Sequence, residues 1–157
     1  MRFGVFDHLD DSGRPLAQHF EDRLRLAEVY DRAGFYGYHL AEHHNTPLGY
    51  APSPGIFLAA VAQRTTRLKF GPMVYLLPLY HPLRLIDEVC MLDQMSQGRF
   101  LYGVGRGISP IEGGRGAALT HRAGYRRFRR RLCAATPLWS DNTWKSQRSR
   151  LHCSRVA

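Results

Sequence analysis

The sequence predicts an α/β fold in which a parallel β-sheet is covered by helices. Four short strand-like runs alternate with three segments in which apolar residues recur at helical spacing. Glycine or proline stands near the ends of several of these segments. Alternating strands and helices are typical both of doubly wound sheets and of barrels, and the order of the strands is left open by this pattern.

The first strand and the first helix are predicted within residues 2–33. Residues 2–6 form a short apolar run, which is typical of a strand. Residues 15–33 have apolar residues at helical spacing, so they are predicted to form a helix, and Gly34 after them is a typical helix stop. The apolar residues that define this helix are Leu16, Phe20, Leu24, Ala27 and Tyr30.

The second strand, the second helix and the third strand are predicted between residues 35 and 76. Residues 35–40 are aromatic and strand-like. Ser53-Pro54 offers an N-cap and a first-turn proline, so we expect a helix from there to about residue 64. Residues 68–76 are mostly apolar, and Gly71-Pro72 among them indicates a bulge or a close approach of a ligand.

The last predicted elements are a helix and a fourth strand. His81-Pro82 opens a helix that runs through residue 95, and Gly98 ends it. Residues 100–104 are strand-like and lead into Gly105-Arg106-Gly107. The predicted order is β-α-β-α-β-α-β. In such folds the chemistry is expected at the carboxyl ends of the strands.

The charge of the chain is divided between two parts of different composition. Residues 1–112 hold 11 Lys and Arg against 12 Asp and Glu, whereas residues 113–157 hold 11 Lys and Arg against one acid. We therefore expect a folded domain over 1–111 and an irregular basic tail over 112–157. The Arg-rich, Lys-poor tail favours a shifted reading frame or a truncation artefact. A disordered segment and a nucleic-acid-binding arm are the alternatives.

Cysteine usage and the amino-terminal segment restrict the class of protein. The cysteines Cys90, Cys133 and Cys153 are odd in number and form no CxxC, so we expect neither a disulfide framework nor a zinc ribbon. The sequence begins with a strand-like run rather than a signal peptide. No apolar run approaches the roughly 20 residues needed to span a bilayer. These features predict a cytoplasmic protein without a membrane partner.

The segment most informative about function is Glu42-His43-His44, directly after the second predicted strand. A carboxylate beside imidazoles, where a strand gives way to a loop, predicts an acid–base site. Asp7-His8 and Arg106 also follow predicted strands, so we expect them at the same edge. The string His39-x-x-Glu42-His43 matches an inverted zinc-protease motif, but along a strand its two imidazoles would lie about 13 Å apart. No metal is predicted.

Residues 102–107 form a second candidate site. Their pattern is GxGxG rather than the GxGxxG of a dinucleotide site, so a nicotinamide cofactor is not favoured. Glycines after a buried strand allow the backbone to approach a ligand closely. Arg106 between them would face an anion or an electron-rich ring. A plain turn between strand and loop is the alternative interpretation.

Five short motifs occur in one order and spacing within residues 1–111. They are Met1-Arg2-Phe3-Gly4, Leu40-Ala41-Glu42-His43-His44, Leu77-Pro78-Leu79-Tyr80-His81-Pro82-Leu83-Arg84, Leu92-Asp93-Gln94-Met95-Ser96-Gln97-Gly98-Arg99-Phe100 and Gly103-Val104-Gly105-Arg106-Gly107. Together they resemble the amino-terminal part of the bacterial luciferase-like monooxygenases.

This resemblance implies a (β/α)8 TIM barrel, of which about the first four βα units are present, and reduced FMN as the cofactor. Some relatives use the deazaflavin F420 instead. By the same resemblance, His43 matches the catalytic histidine, and Glu42 and Arg106 match flavin-contacting positions. Met73 and Val74 match a segment that lies against the isoalloxazine, where members of the family often have a cis peptide bond.

The resemblance favours one function over two alternatives. We expect a flavin-dependent monooxygenase that uses O2 on a small organic substrate, with a flavin reductase and a second copy of the chain as partners. Hydride transfer with F420 is the alternative among enzymes, and a non-catalytic fragment that binds nucleic acid through the basic tail is the alternative outside them. Because only the first part of a barrel is matched, we expect a truncated, inactive form that binds flavin poorly.

Overall fold

The computed structural model describes residues 1–44, 46 and 48–107. Within them the predicted order of strands and helices is confirmed. The elements are β1 (Gly4–Asp7), α1 (Leu16–Arg32), β2 (Gly37–Leu40), α2 (Pro54–Arg64), β3 (Lys69–Pro72), β4 (Tyr75–Leu76), a 3₁₀-helix (Leu77–Leu79), α3 (Pro82–Met95) and β5 (Val104–Gly105). The predicted tail over residues 112–157 lies outside the described residues, with Cys133 and Cys153.

The first three strands form a parallel sheet in the order β1-β2-β3. Gly4 is in register with Gly37, and Gly37 with Lys69, so the strands begin at one level and end at one shared edge. Helices α1 and α2 connect them, because parallel neighbours need a crossover. The α/β fold is confirmed, and in the described part of the chain it comprises two open sheets.

The third predicted strand, residues 68–76, is divided into β3 and β4. The peptide bond between Met73 and Val74 is cis, as the resemblance implies. Strand β4 pairs in parallel with β5 in a second sheet, and the Tyr75 N–H donates to the Gly103 carbonyl at 2.9 Å. The predicted fourth strand is therefore present, although its regular part lies slightly later in the chain.

Two glycines of the fourth strand allow close packing against the third. A Cβ at Gly105 would lie 2.5 Å from a methyl group of Val74, and one at Gly103 would clash with the carbonyl oxygen of Pro72. Contacts of this kind leave no space for any side chain at either position. The structure thus gives these glycines a packing role between strands, and the close approach of a ligand expected from the sequence stays a prediction.

The helix boundaries follow the predicted signals with one difference. Helix α1 is followed by Gly34 at φ +80°, and α3 by Gly98 at the same φ, as expected of residues that end helices. Pro54 opens α2, but the Ser53 hydroxyl at its N-cap makes no capping hydrogen bond. None of the helices in the described ranges is long and apolar enough to cross a membrane.

The hydrophobic core lies between the sheet and its helices. Tyr38 and Leu40 of β2 are buried, and the Tyr38 ring centroid lies 6.5 Å from that of Phe57 in α2. The face of β2 that carries Gly37 also carries the half-buried His39, whose pKa is lowered by burial. Because this core holds β2 in place, it also fixes the position at which the segment after β2 leaves the sheet.

Candidate active site

The predicted polar groups lie at the carboxyl ends of strands in the two sheets. Glu42-His43-His44 follows β2, His8 follows β1 and Arg106 follows β5. The Ala41 N–H donates to the Asp7 carbonyl at 2.9 Å, so the ends of β1 and β2 are hydrogen-bonded side by side. Parallel register thereby places groups that are far apart in sequence at one edge.

The Glu42 carboxylate is buried and hydrogen-bonded at both oxygens. Glu42 is only 3% exposed. Its Oε1 lies 2.8 Å from Nε2 of His44, while its Oε2 accepts from the Leu76 N–H at 3.1 Å and from the Tyr80 hydroxyl at 2.9 Å. Burial raises the pKa of Glu42, and the hydrogen bonds to the carboxylate oppose this rise without cancelling it. A carboxyl group of this kind holds its neighbours in place.

His43 is paired with His8 across the ends of two strands. Nε2 of His43 lies 3.2 Å from Nδ1 of His8, and the two rings are inclined by only 10°. When both rings are neutral one donates and the other accepts, so each ring sets the tautomer of the other. Gly49, at φ +81°, packs close to this pair, since a Cβ there would lie 2.6 Å from the His8 carbonyl oxygen.

An apolar and a cationic side chain are accessible at the same edge. The side chain of Met73 is 47% exposed, and Val74 beside it is half-buried. The Met73 N–H donates to the Leu40 carbonyl at 2.8 Å, which fixes this segment beside the end of β2. Arg106 is exposed, and among the described residues it forms no ion pair. Met73 and Arg106 thus offer apolar contact and positive charge just after β3 and β5.

Two tyrosines near Glu42 were not identified from the sequence. The Tyr80 hydroxyl donates to Glu42, and the Tyr75 hydroxyl donates to Glu88 at 2.6 Å. Their ring centroids lie 5.1 Å apart. Burial, and then the carboxylate that each hydroxyl contacts, raises the pKa of both tyrosines. Tyr80 lies within one of the family motifs, but nothing local in the sequence signals its contact with a residue 38 positions away.

The fold and the site define an α/β protein with an acid–base cluster at the carboxyl edge of a parallel sheet. The family model described as luciferase-like monooxygenase matches residues 1–153. The chain therefore belongs to the luciferase-like monooxygenase family, as its motifs predicted.

Two relatives show the same similarity in sequence. A protein of Sinorhizobium fredii, y4wF, is 58% identical over 112 residues, which are 71% of this chain and 33% of the relative. The limonene 1,2-monooxygenase of Rhodococcus erythropolis is 42% identical over 108 residues, which are 67% of this chain and 27% of the enzyme. The chain thus spans about a third or less of the length of these relatives.

Two solved structures show the same similarity in fold. The oxygenating constituent of 3,6-diketocamphane monooxygenase from Pseudomonas putida, in complex with FMN, superposes with a TM-score of 0.78 and 29% identity over 90% of this chain and 40% of that chain. A coenzyme F420 dependent tetrahydromethanopterin reductase from Methanopyrus kandleri gives a TM-score of 0.56 and 27% identity over 68% of this chain and 27% of that chain.

Proposed function

We propose that the carboxyl edge of this chain forms part of the active site of a flavin-dependent monooxygenase that uses reduced FMN and O2 on a small organic substrate. The observation that carries the proposal is the buried Glu42 carboxylate, which holds His44 and Tyr80 beside the His43–His8 pair. The FMN bound to the solved Pseudomonas relative supports the choice of cofactor. The strands described here would then be the first part of a (β/α)8 barrel.

The side chains at this edge offer the apolar and cationic contacts that a reduced flavin would need. A reduced flavin has a broad, electron-rich ring system, and reduced FMN carries negative charge. Met73 presents an exposed apolar side chain for this ring system, and Arg106 presents a guanidinium. Reduced FMN, when bound, supplies the electrons with which O2 is activated for transfer to the substrate.

The protein would contribute proton transfer and positioning. His43 is assigned as the catalytic residue, which gives or takes a proton at a ring nitrogen, while His8 sets its tautomer. The resemblance matches Glu42 to a flavin-contacting position. Because both oxygens of Glu42 already have protein partners, we propose instead that it is a positioning residue that acts through His44 and Tyr80. Arg106 would stabilise the negative charge of the reduced cofactor.

Hydride transfer with F420 is the second candidate function. The observation that favours it is the similarity in fold to the Methanopyrus reductase. The two functions differ in their need for oxygen, because hydride transfer from F420 requires none. They also differ in which cofactor the carboxyl edge selects.

A nuclear magnetic resonance titration of the full chain with reduced FMN tests the proposal even if binding is weak. Under anaerobic conditions we expect saturable shifts of the backbone amides of His43, Leu76 and Arg106. His43→Gln should alter the pattern at this edge, whereas His81→Gln, which changes an exposed histidine ahead of α3, should leave it unchanged.

Two results would contradict the assignment of FMN to this edge. One is the absence of any saturable shift, and the other is a set of shifts confined to residues away from the three amides named above. The same titration with reduced F420 separates the two candidates. Saturable shifts at the carboxyl edge with F420 and none with FMN would favour hydride transfer.

A further inference from the structure

A cavity of about 360 Å³ lies at the opposite, amino-terminal edge of the three-stranded sheet. It is bounded by the start of β1, by the turn between α1 and β2, and by the segment that enters β3. Strands of four residues separate this edge from Glu42 by roughly 13 Å. Cavities of this volume suit small molecules. The cavity is therefore separate from the site proposed for the flavin.

The charged side chains that line this cavity are all basic. They are Arg2, Arg67 and Lys69, and no acidic residue is among the lining residues. The Arg2 guanidinium lies 5.0 Å from the centroid of the Tyr36 ring, and the Lys69 ammonium lies 5.1 Å from it. Both cations thus lie within about 5 Å of the same ring and concentrate positive charge at this end of the sheet, so an anion bound there would be stabilised.

Among the residues that the structure describes, the guanidinium of the third cation, Arg67, contacts backbone carbonyls rather than a carboxylate. The Arg67 guanidinium donates to the carbonyl oxygens of Asp31 and Arg32, at 2.8 and 3.4 Å. The Asp31 carboxylate instead accepts from the backbone N–H groups of residues 66–68 and from the Thr66 hydroxyl. The arrangement orients Arg67 while its positive charge stays available to a ligand.

The cavity also has aromatic walls. Phe3 is 59% exposed, and Phe35 and Tyr36 are half-buried. The Tyr36 N–H donates to the Phe3 carbonyl at 2.7 Å, which holds the aromatic residues just before β1 and β2 side by side. Exposed aromatic surface beside three cations suits a molecule that has both a flat apolar body and an anionic group.

We propose that this cavity binds a small aromatic anion whose charged group is a phosphate or a carboxylate. The anionic group is held by Lys69 and Arg2, with Arg67 beside them, and the aromatic body lies against Phe3. This function is independent of the monooxygenase site, because the cavity shares no residue with it. Its test can therefore fail or succeed whatever the flavin titration shows.

Calorimetric titration of the full chain with phenyl phosphate, benzoate and inorganic phosphate at low ionic strength tests the proposal. We expect one saturable site per chain for phenyl phosphate or benzoate, and weaker binding of inorganic phosphate, which lacks the ring. Tighter binding of phenyl phosphate would support the phosphate form, and tighter binding of benzoate the carboxylate form. Binding of neither would overturn the proposal, as would equal affinity for inorganic phosphate.

Variants distinguish this cavity from non-specific attraction to a basic chain. Lys69→Gln and Arg2→Gln should each weaken binding about tenfold, since each removes a charge-assisted contact. Lys69→Arg keeps the charge and should retain binding. Arg84→Gln removes one exposed charge outside the cavity and should change the affinity less than about twofold. An equal loss in Arg84→Gln, or no loss in Lys69→Gln, would show that the chain has no such site.

Discussion

Replacing Glu42 separates the role of its shape from that of its charge. In Glu42→Ala the Leu76 N–H, the Tyr80 hydroxyl and His44 all lose the carboxylate that they contact. In Glu42→Gln the amide oxygen can still accept from Leu76 and Tyr80, and the amide nitrogen can donate to unprotonated Nε2 of His44. The two variants therefore differ mainly in the number of unsatisfied partners.

The expected magnitudes follow from burial of these partners. A buried group left without a partner costs about 1–3 kcal/mol, and the Leu76 N–H is buried whereas Tyr80 and His44 are partly accessible. We expect Glu42→Ala to lower the free energy of unfolding by about 3 kcal/mol. Glu42→Gln should stay within about 1 kcal/mol of the parent protein at neutral pH, because it also removes a buried charge.

The pH dependence of this difference has a definite sign. The pKa of Glu42 is raised above its ordinary value of 4.5, mainly by burial. The protonated form is thus favoured in the folded state, and its contribution to stability is fully present below pH 4.5, the ordinary pKa of the group. The contribution is lost as pH rises through the folded-state pKa. The parent protein should therefore lose stability relative to Glu42→Gln as pH rises.

Urea unfolding followed by far-ultraviolet circular dichroism, from about pH 3 to pH 8, measures this difference. Glu21→Gln is a matched control, because the stability contribution of Glu21 should have the opposite dependence on pH. The hydrogen bond from Arg64 lowers the pKa of Glu21, against the opposing effect of burial, so its contribution is present above 4.5 and lost on acidification. If the stability of the parent relative to Glu42→Gln did not change with pH, or increased as pH rose, the reasoning would be refuted.

Three further substitutions probe other parts of the molecule. Asp31→Asn should lower the free energy of unfolding in urea by about 2 kcal/mol. The hydrogen bonds from residues 66–68 outweigh the effect of burial and lower the pKa of Asp31, so the parent protein should lose this contribution below about pH 3.8. Gly103→Ala should lower the free energy of unfolding by about 3 kcal/mol or more, because the added Cβ would clash with Pro72. Gly34→Ala should lower it by about 1 kcal/mol, because there only the positive φ is unfavourable. Arg106→Gln should weaken the binding of reduced FMN about tenfold in the titration. An unchanged affinity would show that Arg106 is not part of the site.

The order of elements could be predicted because it depends on local pattern. Apolar spacing and Gly34 define α1, and Pro54 and Pro82 open the next two helices where the sequence places them. The division of residues 68–76 into two strands could not be predicted in the same way. It depends on pairing, because β3 bonds to β2 whereas β4 bonds to β5, and pairing partners are not encoded locally.

The candidate site could be predicted only where its residues are adjacent in sequence. Glu42, His43 and His44 are consecutive, so the clustering of acid and imidazole is visible in the sequence alone. Their partners are not, since His8 lies 35 positions before His43, and Leu76 and Tyr80 lie 34 and 38 positions after Glu42. The His8–His43 contact arises from the parallel register of β1 and β2. The contacts of Glu42 instead join the end of β2 to Leu76 and Tyr80, in and after β4 of the second sheet.

Parallel strands give this sheet two edges with different chemistry. At the carboxyl edge a buried carboxylate and paired imidazoles favour proton exchange, while at the amino edge Arg2 and Lys69 flank an aromatic ring with no acid among the lining residues. Each strand contributes to both edges, yet the edges lie roughly 13 Å apart. Sites so separated, with no shared partner, respond to substitution independently. A change at Lys69 should therefore leave the pH dependence of stability due to Glu42 unchanged. Separate variants can for this reason test the proposed anion binding at one edge and the proposed acid–base chemistry at the other.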